Sequence, residues 1–552
     1  MLASKGEFPG AESLPTVTKA KERWPEIGRA TEYLGGVCER GTSTMDDLAT
    51  WEIRDLSRPL ADEYAQRNVT NGAESGREAE VGGPQYERRR RGTAIAPGPG
   101  RAKGSPCTDD FAEGTMSETT ISTNVSPKLT KVMELARKDP GLRLRSLAHV
   151  LDEQLLMRSF HQLRKDAAVG VDAVAKEEYG RDLEANIRSL HERMKASRYR
   201  HQPIRRVHIP KANGKLRPLG ISCTEDKIVQ GALTTLLTAV YEPVFLNCSY
   251  GFRPGRSAHD AITALHGITG EVTWILEADI EAFFDSIDRK KLMDELRKRI
   301  DDESLLRLIG KCLHVGVLEG EHYSEPDVGT AQGSSLSPLL GNVYLHYALD
   351  EWFARDIVPR LNGTARLIRY ADDFVIGFAR KEDAERVLRV LPQRLGRYSL
   401  RLSPEKTRLV RFGRPTGDDD DDGNGTFDFL GFSWYWGRRE NAWTVHVKTR
   451  TSRLTRALVA IAEWCRKHRH DPVREQHIGL KRRLQGHYNY FAVRTNERTV
   501  WRLLYWATRI WRKTLSRRSQ RSSITWPRFM RMERALPLPR PKMKRLWWSP
   551  VT

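Results

Sequence analysis

The stretch that decides the fold is Arg369-Tyr370-Ala371-Asp372-Asp373-Phe374-Val375-Ile376. Two adjacent carboxylates stand between two strand-like runs, residues 365–370 and 374–378, and this pattern predicts a β-hairpin with the acids at its turn. Adjacent strand residues point to opposite faces, but at a tight turn both carboxylates can converge. An isolated Asp-Asp pair is more often only a polar turn, so the interpretation depends on the rest of the chain.

A third acid stands at the end of another strand-like run. Residues 272–280 form this run, which contains Asp279 and is followed by Glu281-Ala282-Phe283-Phe284-Asp285-Ser286-Ile287. Chemistry that joins nucleotides needs Mg²⁺ held by carboxylates and substrate phosphates, to deprotonate a 3′ hydroxyl and to stabilise the pyrophosphate leaving group. Asp279, Asp372 and Asp373 supply the required number of ligands, and we expect them to hold two Mg²⁺ ions.

Length and composition exclude several classes of protein. At 552 residues the chain is too long for one core and predicts two or three domains. Its six cysteines are scattered without a close pair, which fits neither a disulfide framework nor a zinc module. No apolar run reaches membrane-spanning length, and residues 1–10 lack a signal-peptide pattern. We therefore expect a cytoplasmic protein in a reducing environment, with no membrane partner.

The positive charge is concentrated at one end. The net charge is +21, yet residues 441–552 alone hold 27 lysines and arginines against five acids, together with eight of the 14 tryptophans. Solvated Arg-rich helices would normally carry a comparable number of acids. A basic segment interleaved with aromatics instead indicates a nucleic-acid surface.

The remaining segments differ in character. Residues 1–120 are rich in Gly, Ser, Thr, Pro and charge, show no periodicity, and are expected to be disordered, with Met116 as an alternative start of the working protein. Apolar residues recur at helical spacing over 183–194. A strand at 207–210, a turn at 211–215 and a return strand at 216–221 then predict a hairpin. Its Lys211, Lys215 and Arg217 suit a triphosphate or a template backbone, although the same pattern also fits a surface hairpin.

An ordered series of motifs resembles bacterial group II intron reverse transcriptases, also called maturases. The series is Ile209-Pro210-Lys211, Arg217-Pro218-Leu219-Gly220-Ile221, Tyr250-Gly251-Phe252-Arg253-Pro254-Gly255-Arg256-Ser257, residues 279–287, Gln332-Gly333 with Ser337-Pro338-Leu339-Leu340, Tyr370-Ala371-Asp372-Asp373, Leu402-Ser403-Pro404-Glu405-Lys406-Thr407 and Phe429-Leu430-Gly431-Phe432. Each block alone is weakly specific, but the occurrence of all the blocks in the order of the family argues strongly against a chance match. The resemblance covers residues 165–432 strongly and the C-terminal part more loosely.

The resemblance implies an α+β, right-hand polymerase. Fingers and palm with antiparallel sheet would occupy residues 121–437, an α-helical thumb/maturase (X) domain residues 438–515, and a basic Arg/Pro-rich tail residues 516–552. Asp279, Asp372 and Asp373 match the metal ligands of the family.

Four further residues match nucleotide-binding positions of the family. Phe284 matches the aromatic ring under the incoming sugar, which would exclude a 2′ hydroxyl and favour deoxynucleotides, although it could equally be a core ring beside Phe283. Lys211 and Arg217 match residues of the family that contact the triphosphate, and Gln332 matches a residue that lines the nucleotide pocket. The block at residues 329–335 departs from the family by lacking a proline and a second glycine, which predicts altered nucleotide affinity or fidelity. The five acids of residues 418–422 are expected to form only a solvated loop.

The C-terminal part resembles the maturase signature. Residues 454–461 and 500–510 show apolar helical stripes, and between them lies Leu480-Lys481-Arg482-Arg483-Leu484-Gln485-Gly486-His487-Tyr488-Asn489-Tyr490-Phe491. In the family this region binds structured intron RNA, which implies RNA contacts by Arg482, Arg483, Tyr488 and Tyr490. Paired cysteines and histidines of an endonuclease are absent after Cys465, so we expect the primer to come from elsewhere, such as a nascent strand.

The function expected from these observations is RNA-directed DNA synthesis coupled to intron splicing and mobility. The partners implied are the intron RNA, target DNA with its primer, and dNTPs, and a homodimer stays an open alternative. Two other interpretations remain: a splicing cofactor with an idle polymerase site, and a stand-alone retron- or defence-type reverse transcriptase. The three acids argue against the first, and the block at residues 486–491 argues against the second.

Overall fold

The computed structural model describes residues 126–210, 216–319, 322–324, 329–330, 333–416, 424–439, 442–519 and 523–544. The predicted disordered extension over residues 1–120 and the acidic loop at 418–422 lie outside these residues. In the described residues, no helix has both the length and the apolar character that crossing a bilayer requires.

In the first described segment, helices precede and follow one β-hairpin along the chain. The helices are α1 (Pro127–Lys138), α2 (Glu153–Gln162), α3 (Lys176–Tyr179), α4 (Leu183–Lys195) and α5 (Thr224–Tyr241), and the strands are β1 (Ile204–Pro210) and β2 (Leu216–Ile221). Asp152 caps the start of helix α2, and its side chain accepts a hydrogen bond from the backbone N–H of Leu155. The predicted hairpin is confirmed, with Ile209 opposite Arg217.

The middle of the chain contains both helices and strands. The elements are α6 (Ala258–Ile268), β3 (Trp274–Asp279), α7 (Phe283–Ser286), α8 (Arg289–Arg297), α9 (Glu303–Leu313), β4 (Val317–Glu319), β5 (His322–Ser324), α10 (Ser337–Leu345), β6 (Ala365–Tyr370), β7 (Asp373–Phe378), α11 (Lys381–Gly396) and β8 (Arg408–Arg411). Helix α6 starts with a capping box between Ser257 and Asp260. Asp288 caps α8, where its side chain accepts a hydrogen bond from the backbone N–H of Lys291.

Two sheets are built from these strands. Strands β6, β7, β3 and β8 form an antiparallel sheet in that order, hereafter the central sheet. The hairpin β1–β2 joins a second sheet in which β1 pairs with β4 in parallel. The predicted mixture of helices and largely antiparallel sheet is therefore observed.

The C-terminal part begins with a third sheet and continues as helices. Its elements are β9 (Phe427–Phe429), β10 (Phe432–Arg439), β11 (Ala442–Thr449), α12 (Thr451–Lys467), α13 (Val473–Phe491), α14 (Glu497–Leu515) and α15 (Trp526–Ala535). The predicted domain boundary at 437/438 falls inside β10, because this strand continues to Arg439 and pairs along its whole length with β11. The helical region therefore starts at Thr451.

The central sheet is buried on both faces. Successive residues of a strand point to opposite sides, so Leu276 and Ile376 pack into one core with the N-terminal helices. Ile275 and Val375 pack into a second core with strands β9–β11 and helices α12–α15. Burial on both faces explains why the sequence of β7 is a continuous apolar run rather than an alternating one.

Candidate active site

Three aspartates meet at one end of the two inner strands of the central sheet, β3 and β7. In the antiparallel pair of β3 and β7, Asp279 lies directly opposite Asp373, and directly opposed residues have Cβ atoms about 5 Å apart. Tyr370 pairs with Asp373 across the β6–β7 hairpin, so Ala371 and Asp372 form its two-residue turn. The structure thus brings Asp279, Asp372 and Asp373 together, hereafter the acidic edge.

The acidic edge has the electrostatics of a cation site. Burial raises the pKa of the Asp373 carboxyl, and the negative charges of Asp279 and Asp372 raise it further, to about 8. Like charges this close repel one another and disfavour the ionised form of Asp373. Bound positive charge would therefore stabilise the arrangement.

A lysine partly neutralises this charge. Lys406 Nζ lies 2.7 Å from Asp279 Oδ2. Over the described ranges, no three acidic, histidine or cysteine side chains are gathered around a common point suited to a metal ion. The carboxylate oxygens of the acidic edge are nevertheless the type of ligand that a hard divalent cation prefers.

The hairpin turn is held by a buried arginine. Ala371 has a left-handed φ of 56°, a conformation that costs about 1–2 kcal/mol for a residue with a Cβ. Arg369 Nη1 donates to the backbone oxygen of Ala371 at 2.9 Å. Arg369 is itself fully buried in an ion pair with Asp350. The surrounding hydrogen bonds therefore maintain the strained turn that carries Asp372.

The nucleotide-binding predictions fall on partly described residues. Phe283 is buried, whereas the adjacent Phe284 is half-buried, with its ring centroid 5.1 Å from that of Phe283. The two rings therefore differ in exposure, because adjacent residues of a helix point in different directions. Lys211 and Gln332 lie outside the described residues, as does the side chain of Arg217.

The loop that contains Gln332 has a restricted backbone on either side of the undescribed residues. Gly329 and Gly333 have left-handed φ values of 85° and 113°. A Cβ at Gly333 would lie 2.4 Å from the backbone oxygen of Gly220 on β2. The loop thus approaches the β-hairpin so closely that glycine is required there.

The RNA-contact predictions on α13 require a correction. Arg482 is exposed, and Arg483 lies over the ring of Trp464 with 4.3 Å between guanidinium carbon and ring centroid. Tyr488 is 3% exposed and belongs to the second core, so the prediction that it contacts RNA is wrong in this conformation. Tyr490 is half-buried and its hydroxyl donates to the backbone oxygen of Leu430 at 2.9 Å.

Two residues around the acidic edge, Arg369 and Lys406, are not identified by the sequence patterns. Their motifs predict no role in the site for either side chain. The place of Arg369 after Leu367 and Ile368, one residue before the end of β6, is a usable signal, since a charged residue that a strand buries requires a partner. No local signal identifies the contact of Lys406 with Asp279, because they are 127 residues apart.

Comparisons with known proteins indicate the class to which the chain belongs. Residues 209–434 match the family described as reverse transcriptase (RNA-dependent DNA polymerase). The chain is 31% identical to protein YkfC of Escherichia coli over 52% of this chain and 84% of that protein. It is 42% identical to the group II intron-encoded protein LtrA of Lactococcus lactis over 30% of this chain and 27% of LtrA. A nuclear intron maturase of Arabidopsis thaliana is 30% identical over 16% of this chain and 12% of that protein.

The fold, the acidic edge and these matches define an RNA-directed DNA polymerase, an enzyme class that uses divalent metal ions. Within that class, the chain belongs to the family of group II intron-encoded reverse transcriptases, or maturases. The alignments span most of YkfC but less than a third of LtrA and of the fission-yeast intron protein that also matches.

Proposed function

We propose that this protein copies RNA into DNA at the acidic edge and also assists the splicing and mobility of its own intron RNA. The β1–β2 hairpin and its helices would act as fingers, the central sheet as palm, and the helices from Thr451 onward as thumb/maturase domain. The segment after residue 515 would contribute a basic tail. The observation that carries the proposal is the register of Asp279 opposite Asp373, beside Asp372.

The acidic edge would hold two Mg²⁺ ions through Asp279, Asp372 and Asp373. When bound, these ions would activate the primer 3′ hydroxyl and neutralise the triphosphate and its pyrophosphate leaving group. The chain's own contribution is positioning: the cross-strand register sets Asp279 against Asp373, and Arg369 maintains the turn at Asp372.

Lys211, Arg217 and Gln332 would bind the incoming dNTP, and Phe284 would lie under its sugar. What supports this assignment is the close approach of Gly333, next to Gln332, to strand β2, which carries Arg217. An aromatic ring below the sugar leaves no room for a 2′ hydroxyl, so DNA rather than RNA would be made. The half-exposed ring of Phe284, as opposed to the buried Phe283, is available for this contact.

The C-terminal helices would bind the structured intron RNA. Basic helices are attracted to the dense phosphates of a folded RNA, and this binding would stabilise the splicing-competent fold while the RNA supplies the splicing chemistry. Reverse transcription would then start from a DNA 3′ end at the insertion site. The intron-related names of the relatives support this assignment.

Primer extension on poly(rA) with oligo(dT) and dTTP tests the polymerase assignment. Asp372→Ala should lower Mg²⁺-dependent DNA synthesis by at least about 100-fold, because positioned electrostatic groups contribute on that scale to catalysis. The exposed Asp294 on α8 gives a matched control, and Asp294→Ala should leave the rate unchanged. Equal activity of Asp372→Ala and the unsubstituted protein would refute the role of the acidic edge.

The splicing assignment is tested separately with the same variant. Asp372→Ala should retain most of the protein's stimulation of splicing of its flanking intron RNA, because RNA binding is assigned to the C-terminal helices. Equal loss of splicing and DNA synthesis would contradict the division of roles.

A further inference from the structure

One exposed aromatic side chain lies beside the hairpin turn of the acidic edge. Phe252 is 37% exposed, and its ring centroid lies 6.3 Å from that of Tyr370. Tyr370 directly opposes Asp373, which in turn opposes Asp279. Directly opposed residues on neighbouring strands share one face of a sheet. Phe252 therefore extends a row of side chains that begins with two carboxylates and continues with the ring of Tyr370.

The backbone that carries the Phe252 ring is strained. Phe252 has a left-handed φ of 55°, a conformation that costs energy for a residue with a Cβ and persists only where the surrounding structure maintains it. A partly exposed ring stabilises a fold less than a buried one, so burial of this side chain does not offset the strain. Strain of this kind clusters at active sites and ligand contacts.

The residues on either side of Phe252 are held by buried partners. The backbone oxygen of Gly251 accepts a hydrogen bond from Asn342 Nδ2 at 2.7 Å. Arg253 is 6% exposed and pairs with Glu242 at 2.8 Å. The loop thus fixes the Phe252 backbone while the ring stays accessible, which is the arrangement of a preorganised binding residue.

The row of side chains crosses the central sheet and continues past its edge. Strand β6 is the edge strand, and Ser249 bridges to Arg369 on its outer side. Neighbouring strands lie about 4.8 Å apart, so Tyr370 stands about 10 Å from Asp279 across the sheet. The Phe252 ring lies beyond Tyr370, on the side away from the carboxylates.

The other end of the row is covered by the chain itself. The backbone N–H of Ser403 donates to the backbone oxygen of Asp279 at 2.8 Å, and Lys406 Nζ pairs with the Asp279 carboxylate at 2.7 Å. A duplex whose primer end reaches the carboxylates must therefore extend its second strand toward Phe252. Duplexes of the A form that RNA adopts present a wide, shallow minor groove with accessible base edges, which an exposed ring can contact.

We propose that Phe252 binds the template nucleotide that pairs with the primer end. This inference rests on the proposed function, because it places the primer 3′ hydroxyl at the acidic edge. The ring packs against the base edge of this template nucleotide and holds the terminal base pair over the row. The strained loop presents the ring in its binding conformation before the duplex arrives.

Phe252→Gly tests the inference, because it removes the ring and relieves the strain. With a fluorophore-labelled DNA primer on a defined RNA template, anisotropy without dNTP should show a dissociation constant raised at least about fivefold, the low end for loss of one contact between a ring and a base. KM for dTTP should change by less than twofold. Phe252→Tyr keeps a ring and should retain the affinity of the unsubstituted protein.

Stability and a second exposed side chain provide the controls. Glycine adopts the left-handed conformation without strain, so the thermal unfolding midpoint of Phe252→Gly should stay within a few degrees of the unsubstituted protein. Val390 on α11 is 39% exposed, and the buried residues of α11 belong to the first core, on the other face of the central sheet. Val390→Ala should leave duplex affinity unchanged.

Abasic substrates distinguish the template from the primer. When the template lacks the base opposite the primer end, the difference in affinity between Phe252→Gly and the unsubstituted protein should fall below twofold. Loss of the terminal primer base should leave that difference in place. Unchanged affinity of Phe252→Gly on the intact duplex, or a difference that survives the abasic template, would overturn the inference. Anisotropy requires no catalysis, so a protein that binds the duplex yet makes no DNA would refute the proposed function alone.

Discussion

At the scale of single residues, the acidic edge depends on one buried guanidinium. Arg369 is 0% exposed, and each of its five N–H groups has an acceptor. The acceptors are both carboxylate oxygens of Asp350, the side chains of Asn342 and Ser249, and the backbone oxygen of Ala371. A buried ion pair survives only when its remaining hydrogen-bonding groups are satisfied, which is the case here.

Arg369→Met should lower the free energy of unfolding by about 3–5 kcal/mol, because it leaves the Asp350 carboxylate buried without its partner. Urea denaturation measures this change. The double variant Arg369→Met with Asp350→Leu should recover much of the stability, since neither charge then remains, but should not recover DNA synthesis. Full recovery of primer extension in the double variant would mean that Arg369 supports only the fold.

At the scale of elements, the hairpin turn is pressed against a neighbouring segment. Residues 248–251 run beside β6, where Ser249 forms a parallel bridge with Arg369 and the N–H of Tyr250 donates to the Arg369 oxygen at 2.9 Å. A Cβ at Gly251 would lie 2.5 Å from the backbone nitrogen of Ala371. Two backbones therefore approach at the point that carries Asp372, and only glycine permits the approach.

Gly251→Ala should destabilise the protein by about 1–3 kcal/mol, because the new methyl group meets backbone that cannot move freely. It should also lower primer-extension activity, since relief of the clash displaces the turn. Gly267 in α6 has open space around it, so Gly267→Ala should leave activity unchanged and stability equal or slightly higher. Thermal unfolding and primer extension of the two variants compare these effects, and equal behaviour would show that the turn tolerates displacement.

At the scale of the whole molecule, the distribution of charge separates two roles. Nearly all of the net positive charge lies in residues 441–552, while the acidic edge lies in the central sheet. The second core joins these parts, because β3 and β7 pack on the same apolar cluster as the C-terminal strands and helices. The two parts to which we assign RNA binding and DNA synthesis therefore share one apolar core.

Affinity for the intron RNA should fall steeply with salt, because phosphate contacts release counterions. Arg482→Gln should reduce the slope of log affinity against log salt by about 0.7–1, the amount expected for one lost phosphate contact. The exposed Arg389 on α11 provides the control, and Arg389→Gln should keep the slope of the unsubstituted protein. Filter binding between 50 and 300 mM salt, roughly the range over which such contacts are screened, measures both slopes. An unchanged slope in Arg482→Gln would remove this residue from the RNA surface.

Local patterns in the sequence were sufficient for the elements and for the acidic edge. The two strands around Asp372 and Asp373 and the strand ending at Asp279 are where the period and turn chemistry predict them. The aspartates could be grouped because a hairpin turn and a strand end can share one sheet edge. The β1–β2 hairpin and the amphipathic helix α4 were predictable for the same reason, since short-range periodicity determines which face is apolar.

Only the tertiary structure decided which polar and aromatic side chains face the interior. Tyr488 and Tyr490 both fit an RNA surface by composition, but the first is buried in the second core and the second contacts Leu430, 60 residues earlier. Arg369 pairs with Asp350, which is 19 residues away in the sequence, and Lys406 pairs with Asp279, which is 127 residues away. Burial and pairing depend on what packs against an element, and that information is non-local, whereas the period of an element is carried by its own residues.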